Sequence, residues 1–201
     1  MMSHKIGFGL SVLLMTIILA VPVLAQDGSG LVIEGNPSGT SGIGSLNPIR
    51  CDNAACRRIT DFLFPTLFAV DPATGLLLGA ADDNYGLAVD LTPPESESYQ
   101  LTLRDDLAWS DGTPITVYDV FYSFLAASNE RISPLYGPSV SATVSAAMVV
   151  DDHTIEFGLI DPNCAAQTRM NFPIIPAHVF DPDFAAALTA FSASGDLEAR
   201  Y

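Results

Sequence analysis

Between Tyr99 and Leu125 the chain changes its hydrophobic period abruptly, and that change restricts the folds open to it. Tyr99, Leu101 and Leu103 alternate with Gln100, Thr102 and Arg104, the pattern of a half-buried strand. Asp111-Gly112 then makes a turn, and Thr113-Pro114 leads the chain to Thr116. From there Val117, Val120, Phe121, Phe124 and Leu125 form one apolar helical stripe. Thr116 can cap this helix, with Asp119 three residues on completing a shortened capping box. A strand that turns directly into an amphipathic helix predicts a mixed α/β chain rather than a bundle or an all-β sandwich.

The remaining elements fit that class. Leu31-Val32-Ile33-Glu34 reads as a short buried strand, and Asn36 to Ser45 as a loop. The glycines of that loop resemble a phosphate cradle, but no Gly-Lys-Ser/Thr follows, so it is not a P-loop. Ile59, Phe62 and Leu63 fall at helical spacing and predict one apolar face, ended by Pro65. Leu67 to Val70 and Leu76 to Leu78 flank Asp71-Pro72-Ala73-Thr74-Gly75, a turn with hairpin chemistry. Val149-Val150 and Thr154 to Leu159 flank Asp151-Asp152-His153, a second strand-turn-strand. There is no internal repeat.

The front of the chain is an export signal by its grammar. Lys5 follows a short polar start, an uncharged apolar run extends from Ile6 to about Ala20, and Val23-Leu24-Ala25 precedes Gln26. Cleavage is expected after Ala25, making 1–25 a signal peptide and the destination periplasmic or extracellular. The alternative is an uncleaved anchor, but glycines, Ser11, Thr16 and Pro22 make a poor span of about 20 residues. No cysteine stands just after the apolar run to carry a lipid. Without the signal the chain loses its only lysine and has 7 arginines against 23 carboxylates, a formal charge of −16. Such a surface repels nucleic acid, whose binding depends on Lys and Arg, and disfavours anionic membrane.

Three cysteines remain: Cys51, Cys56 and Cys164. In an exported chain, a disulfide closing the small loop between Cys51 and Cys56 is the first expectation. A metal site is not supported, because only His153 and His178 remain as further ligands, with no ligand-like spacing.

The run from Tyr99 to Val120 carries a family resemblance. An alternating strand, Leu103-Arg104, an acidic turn, Trp109, Asp111-Gly112-Thr113-Pro114 and a helix with Asp119-Val120 together resemble the family-5 solute-binding proteins of ABC importers, the oligopeptide, dipeptide and nickel type. The Asp71-to-Gly75 turn, the Val149-to-Leu159 hairpin and Ile174-Ile175-Pro176-Ala177-His178 are similar to further family segments. The stretch Gly79 to Tyr85 departs from the family's usual run. The resemblance implies an α/β fold of the periplasmic-binding-protein type II kind. The chain would supply the first lobe with its β-rich subdomain, and the second lobe would be missing, since family members run to several hundred residues. It implies this organisation: 1–25 signal, 26–56 start of lobe I with a cleft loop, 57–160 β-rich subdomain, and 161–201 a return to lobe I.

The resemblance also implies a monomeric receptor, without cofactor, that captures a short peptide and passes it to membrane permease subunits. Nickel complexes, heme, opines and some sugars are other solutes of the family. It points to Asn36, Ser38 and Asn47 as ligand contacts, because the loop after the first strand lies near the cleft. A plain surface loop is the competing reading of these three. Trp109, Arg104 and the Asp-Gly-Thr-Pro turn read as scaffold, with Arg104 expected to pair with Asp105, Asp106 or Asp111. Two other classes compete with this reading: an exported structural or docking module, and a secreted hydrolase. The hydrolase lacks a Gly-x-Ser-x-Gly elbow and any joined nucleophile, base and orienter. His153 is expected to be exposed in a polar turn and His178 to be packed.

Overall fold

The structure is a computed structural model that describes residues 45–77, 86–92, 98–163, 165–192 and 198–200. These lie within the compact unit Ser38–Tyr201. The expected signal, the strand at Leu31 to Glu34 and Cys164 fall outside the described residues. Among the described residues, no helix is long and apolar enough to cross a membrane.

The first described elements are a short 3-10 turn, Pro48–Arg50, and helix α1, Ala54–Leu63. Strands β1 (Ala88–Thr92) and β2 (Ser98–Leu103) precede helix α2, Val117–Ser128. The short helix α3 (Gly137–Ser141) leads into β3 (Val144–Val149) and β4 (Thr154–Leu159). Helices α4 (Ala166–Arg169), α5 (Ala177–Phe180) and α6 (Pro182–Ser192) follow, and β5 (Glu198–Arg200) ends the described chain. The five strands among the described residues form one antiparallel sheet in the order β1-β2-β4-β3-β5.

One face of this sheet is the core. The alternation in β4 buries Ile155, Phe157 and Leu159, and the register sets Leu101 of β2 opposite Ile155. In β3 the buried residues are Val144 and Ala147, three apart rather than two. A register shift between Val144 and Ala146 accounts for this, because an extra residue in one strand restores the next side chain to the same face. Helix α2 lies across this face through Val117, Val120, Phe121, Phe124 and Ala127. Phe124 meets Phe157 at 5.4 Å, edge to face, and Phe172 at 6.4 Å. Leu125, expected in the stripe, is half-buried at its edge.

Helix α1 exists where its spacing predicts, but its buried face is a different one. Phe62 is 83% and Leu63 56% exposed, whereas Ala55, Cys56 and Thr60 are buried. Successive residues turn by about 100°, so Phe62 lies roughly 200° from Thr60 around the axis. The face is chosen by Cys56 and Thr60, which both pack beside the buried Cys51. Leu78 lies outside the described residues, and among those described the expected hairpin around Asp71 is reduced to a single bridge between Val70 and Leu77. Its turn is nonetheless well built: the Asp71 carboxylate accepts from Ala73 N at 2.8 Å and Thr74 Oγ1 at 2.7 Å, with Gly75 at φ +70°.

The segment 171–177 has almost no regular structure and is held by side chains. Asn171 Oδ1 accepts from Phe68 N at 3.0 Å, while its Nδ2 donates to Phe68 O at 3.1 Å. Ile174 N donates to Pro65 O, and Ile175 N to Ser123 Oγ at 2.8 Å. Each bond satisfies a backbone group that would otherwise be buried without a partner.

Candidate functional site

Of the three residues expected to contact a ligand, Asn47 is described; Asn36 and Ser38 lie outside the described residues. Asn47 caps the 3-10 turn, with Oδ1 accepting from Ile49 N at 3.0 Å. Its own N–H donates to Ser45 Oγ at 3.0 Å. Ile49 is buried in the main core, so this loop is anchored directly behind Asn47. Asn47 Nδ2 has no hydrogen-bond partner among the described residues, leaving a donor on a half-buried side chain at a fixed position.

Immediately after it, Cys51 and Cys56 are joined as a disulfide, with Cα atoms 5.7 Å apart. Both residues are buried. Asn53, inside the closed loop, caps α1 by accepting from Cys56 N at 2.9 Å. Capping and cross-link thus fix the same turn, and with it the path leaving Asn47.

The densest polar arrangement lies elsewhere, around Asp119 in the first turn of α2. Its Oδ2 accepts from Thr116 N at 3.1 Å and from Trp109 Nε1 at 3.3 Å, and its Oδ1 from Ala177 N at 2.9 Å. The capping box is complete. Burial pushes the Asp119 carboxyl above the usual carboxylate range, and these three donors, with the charge of His178, draw it back. One carboxylate therefore ties three separated segments together: the Trp109 turn, the helix start and the Pro-x-His segment. The turn is closed by Trp109 N donating to Thr113 O at 2.8 Å, with Gly112 at φ +87°. This geometry agrees with a scaffold role for the block.

The histidines separate. His153 is exposed in its turn, 3.7 Å from Asp105. His178, expected to be packed, is instead half-exposed, with Nε2 at 2.8 Å from Asp111 Oδ2. Its ring reaches the surface because α5 is a single turn that follows Pro176 out of the core. That contact, with the backbone N–H of Thr113, holds the Asp111 carboxyl down at about 2. Arg104 takes Asp106 from its three expected partners, in a two-pronged pair with both distances 3.0 Å. Among the described residues, no group of His, Cys, Asp and Glu is placed to hold a metal.

Sequence reasoning found Asp119 as a cap but not as the joint for Ala177, and it did not anticipate the contact between Asp111 and His178, 67 residues apart. The only signal for either was the co-occurrence of the Asp-Gly turn and the Pro-x-His segment.

A mixed sheet-and-helix unit built this way is the fold of type II periplasmic binding proteins. Three solved structures show the likeness. The periplasmic oligopeptide-binding protein OppAIV of Borrelia burgdorferi aligns at TM-score 0.58 and 21% identity, over 69% of this chain and 30% of that one. The murein tripeptide binding protein MppA of Escherichia coli aligns at 0.57 and 22%, over 67% and 29%. NikZ from Campylobacter jejuni, solved in complex with Ni(L-His), aligns at 0.55 and 20%, over 70% and 27%. The chain spans less than a third of the length of these neighbours. No curated protein matches it. Residues 85–196 match the family model described as bacterial extracellular solute-binding proteins, family 5 middle, and the chain belongs to that family. It is a family of binding proteins, not of enzymes.

Proposed function

We propose that this chain forms part of an extracytoplasmic receptor of an ABC importer that captures a short peptide and delivers it to membrane permease subunits. The observation that carries this reading is the family match over 85–196, which takes in the Asp-Gly-Thr-Pro turn, α2 and most of the sheet. In the same reading 1–25 is the export signal, and 26–56 and 161–201 belong to lobe I around the β-rich subdomain 57–160. Asn36, Ser38 and Asn47 contact the ligand from the loop before the disulfide, and the receptor acts as a monomer. The NH2 of Asn47, without a partner among the described residues and held on a loop anchored by Ile49, suits a peptide carbonyl. The acidic composition suits a soluble, freely diffusing carrier.

The test is thermal unfolding of the protein expressed from its whole reading frame, with and without di- to pentapeptides, nickel–histidine complexes and simple sugars. A ligand at 100 times its Kd that binds only the folded state adds about 2.7 kcal/mol. Stabilisation by peptides, reduced by Asn47→Ala, supports the reading. Stabilisation only by nickel–histidine or sugar corrects the solute class. No stabilisation by any of them supports a structural or docking module instead.

A further inference from the structure

We propose that the exposed apolar surface where α1 ends beside α5 is a packing face, covered in the whole protein by polypeptide beyond Tyr201 that brings apolar side chains rimmed by carboxylates. Phe62 and Leu63 at the end of α1 are 83% and 56% exposed, and Val179 and Phe180 of α5 are 61% and 39% exposed. The rings of Phe64 and Phe180 meet at a centroid distance of 6.4 Å, so the two sets belong to one region of the surface. Apolar residues scattered singly over a surface are ordinary, but a group of four that includes two phenylalanines marks a place that something covers. It lies at the far end of α1 from the Cys51–Cys56 loop.

Charge fixes the chemistry of the partner. From Arg50 to Leu63 the chain carries three arginines against two carboxylates, and from Phe64 onward four against nineteen. Arg58 stands one helical turn from Phe62, with Arg57 and Asp61 beside them, and all four are exposed. An otherwise acidic molecule thus turns weakly basic around these apolar side chains. A partner with an apolar centre and an acidic rim complements both features. A second copy of this chain does not. A twofold pair through this face would set Arg57 and Arg58 against the same arginines of the other copy, on two bodies that each carry a formal charge of −16 without residues 1–25. A transient partner would leave the apolar group open to water between encounters. The rest of the same polypeptide covers it permanently. The aligned part of this chain amounts to less than a third of each solved neighbour, and the family model over 85–196 is described as a middle portion. The inference shares with the receptor reading the premise that this chain is part of a longer protein, and nothing else.

The experiment compares urea unfolding of the 201-residue chain with that of the protein expressed from its whole reading frame, each with and without Phe62→Ala. In the shorter chain the substitution is expected to leave the midpoint unchanged. In the whole protein it is expected to shift the folding equilibrium by at least about a hundredfold, the effect of deleting a buried phenylalanine ring. Arg58→Gln should weaken the whole protein more than the shorter chain, by about twofold to fivefold, as for a partly exposed ion pair. Equal effects of either substitution in the two forms overturn the proposal. So does a whole protein that sediments as a dimer and is dissociated by Phe62→Ala, since a second copy would then be the occupant. A reading frame that stops at Tyr201 overturns it outright. Peptide binding plays no part in these readouts, so the receptor reading can fail in the thermal-unfolding test while this proposal stands, and the reverse.

Discussion

Replacing Asp119 with alanine removes one acceptor from three donors at once, and the cost can be built up from each. Ala177 N is buried, so losing its partner costs about 1–3 kcal/mol. Thr116 N loses half of the capping box, about 1 kcal/mol. Trp109 Nε1 is only half-buried and can find water, so its share is small. Against these stands relief from burying a carboxylate, whose expense shows in its raised pKa. The donors together total about 2–4 kcal/mol, and the relief brings the net loss to about 2 kcal/mol, or roughly 4–8 °C in Tm for a domain of this size. Trp109 is the only tryptophan, so its fluorescence reports both global unfolding and the local joint. Urea titration followed by that signal should show a lower midpoint with an unchanged slope and a red-shifted native emission. Asp119→Asn should recover part of the loss, since one oxygen can serve one or two donors while its NH2 opposes the third. A loss below 1 kcal/mol for Asp119→Ala, with unshifted emission, would refute the argument that this carboxylate joins the three segments.

Phe124→Ala should cost about 3–5 kcal/mol, because the ring is fully buried between Phe157 and Phe172. Phe62→Ala should change stability by less than about 0.5 kcal/mol, which chemical denaturation of this chain would check against the exposed face of α1. Thiol titration of native protein is expected to leave Cys51 and Cys56 unreactive, and their reduction to destabilise by about 2 kcal/mol for so short a loop; three reactive thiols in unreduced protein would contradict the cross-link. For acid, the signs differ between groups. Asp111, Asp71, Asp106 and Asp151 have lowered folded values, so their stabilisation is present above the unfolded value and is lost as pH falls through the folded one, for Asp111 towards 2. Asp119 is raised and acts oppositely, its contribution fading as pH rises through its folded value. A net loss of stability between about pH 4 and 2, moved to higher pH by His178→Gln, is the outcome expected from circular dichroism.

Much of this architecture was legible before any coordinates. The alternation at Tyr99 to Leu103 and the stripe from Val117 to Phe124 are periodic signals that depend only on the residues themselves, and both elements stand where those signals put them. The Asp111-Gly112 turn and the cap at Thr116 were readable for the same reason: turn and cap chemistry acts over two to four residues. The face that α1 buries was not readable. Periodicity locates an apolar face but not what covers it, and a nearby pair of buried cysteines outweighed Phe62 and Leu63. Nor could the apolar runs flanking Asp71 reveal that their hairpin would shrink to one bridge among the described residues, because the Thr66 and Leu67 carbonyls accept from Leu87 N and Ala88 N, and Phe68 spends its backbone groups on Asn171 instead. On the candidate ligand loop, sequence marked Asn47 as a short polar group near glycines, and tertiary structure made it a cap anchored by Ile49. What the residues determined by themselves is therefore the local units and the family to which their pattern belongs. What only the folded chain decided is the joining of segments 52 to 103 residues apart, by Asp119, Ser123, Asn171 and His178. Those contacts depend on a three-dimensional path, and one polar side chain gives no sign in sequence of the distant backbone group it will satisfy.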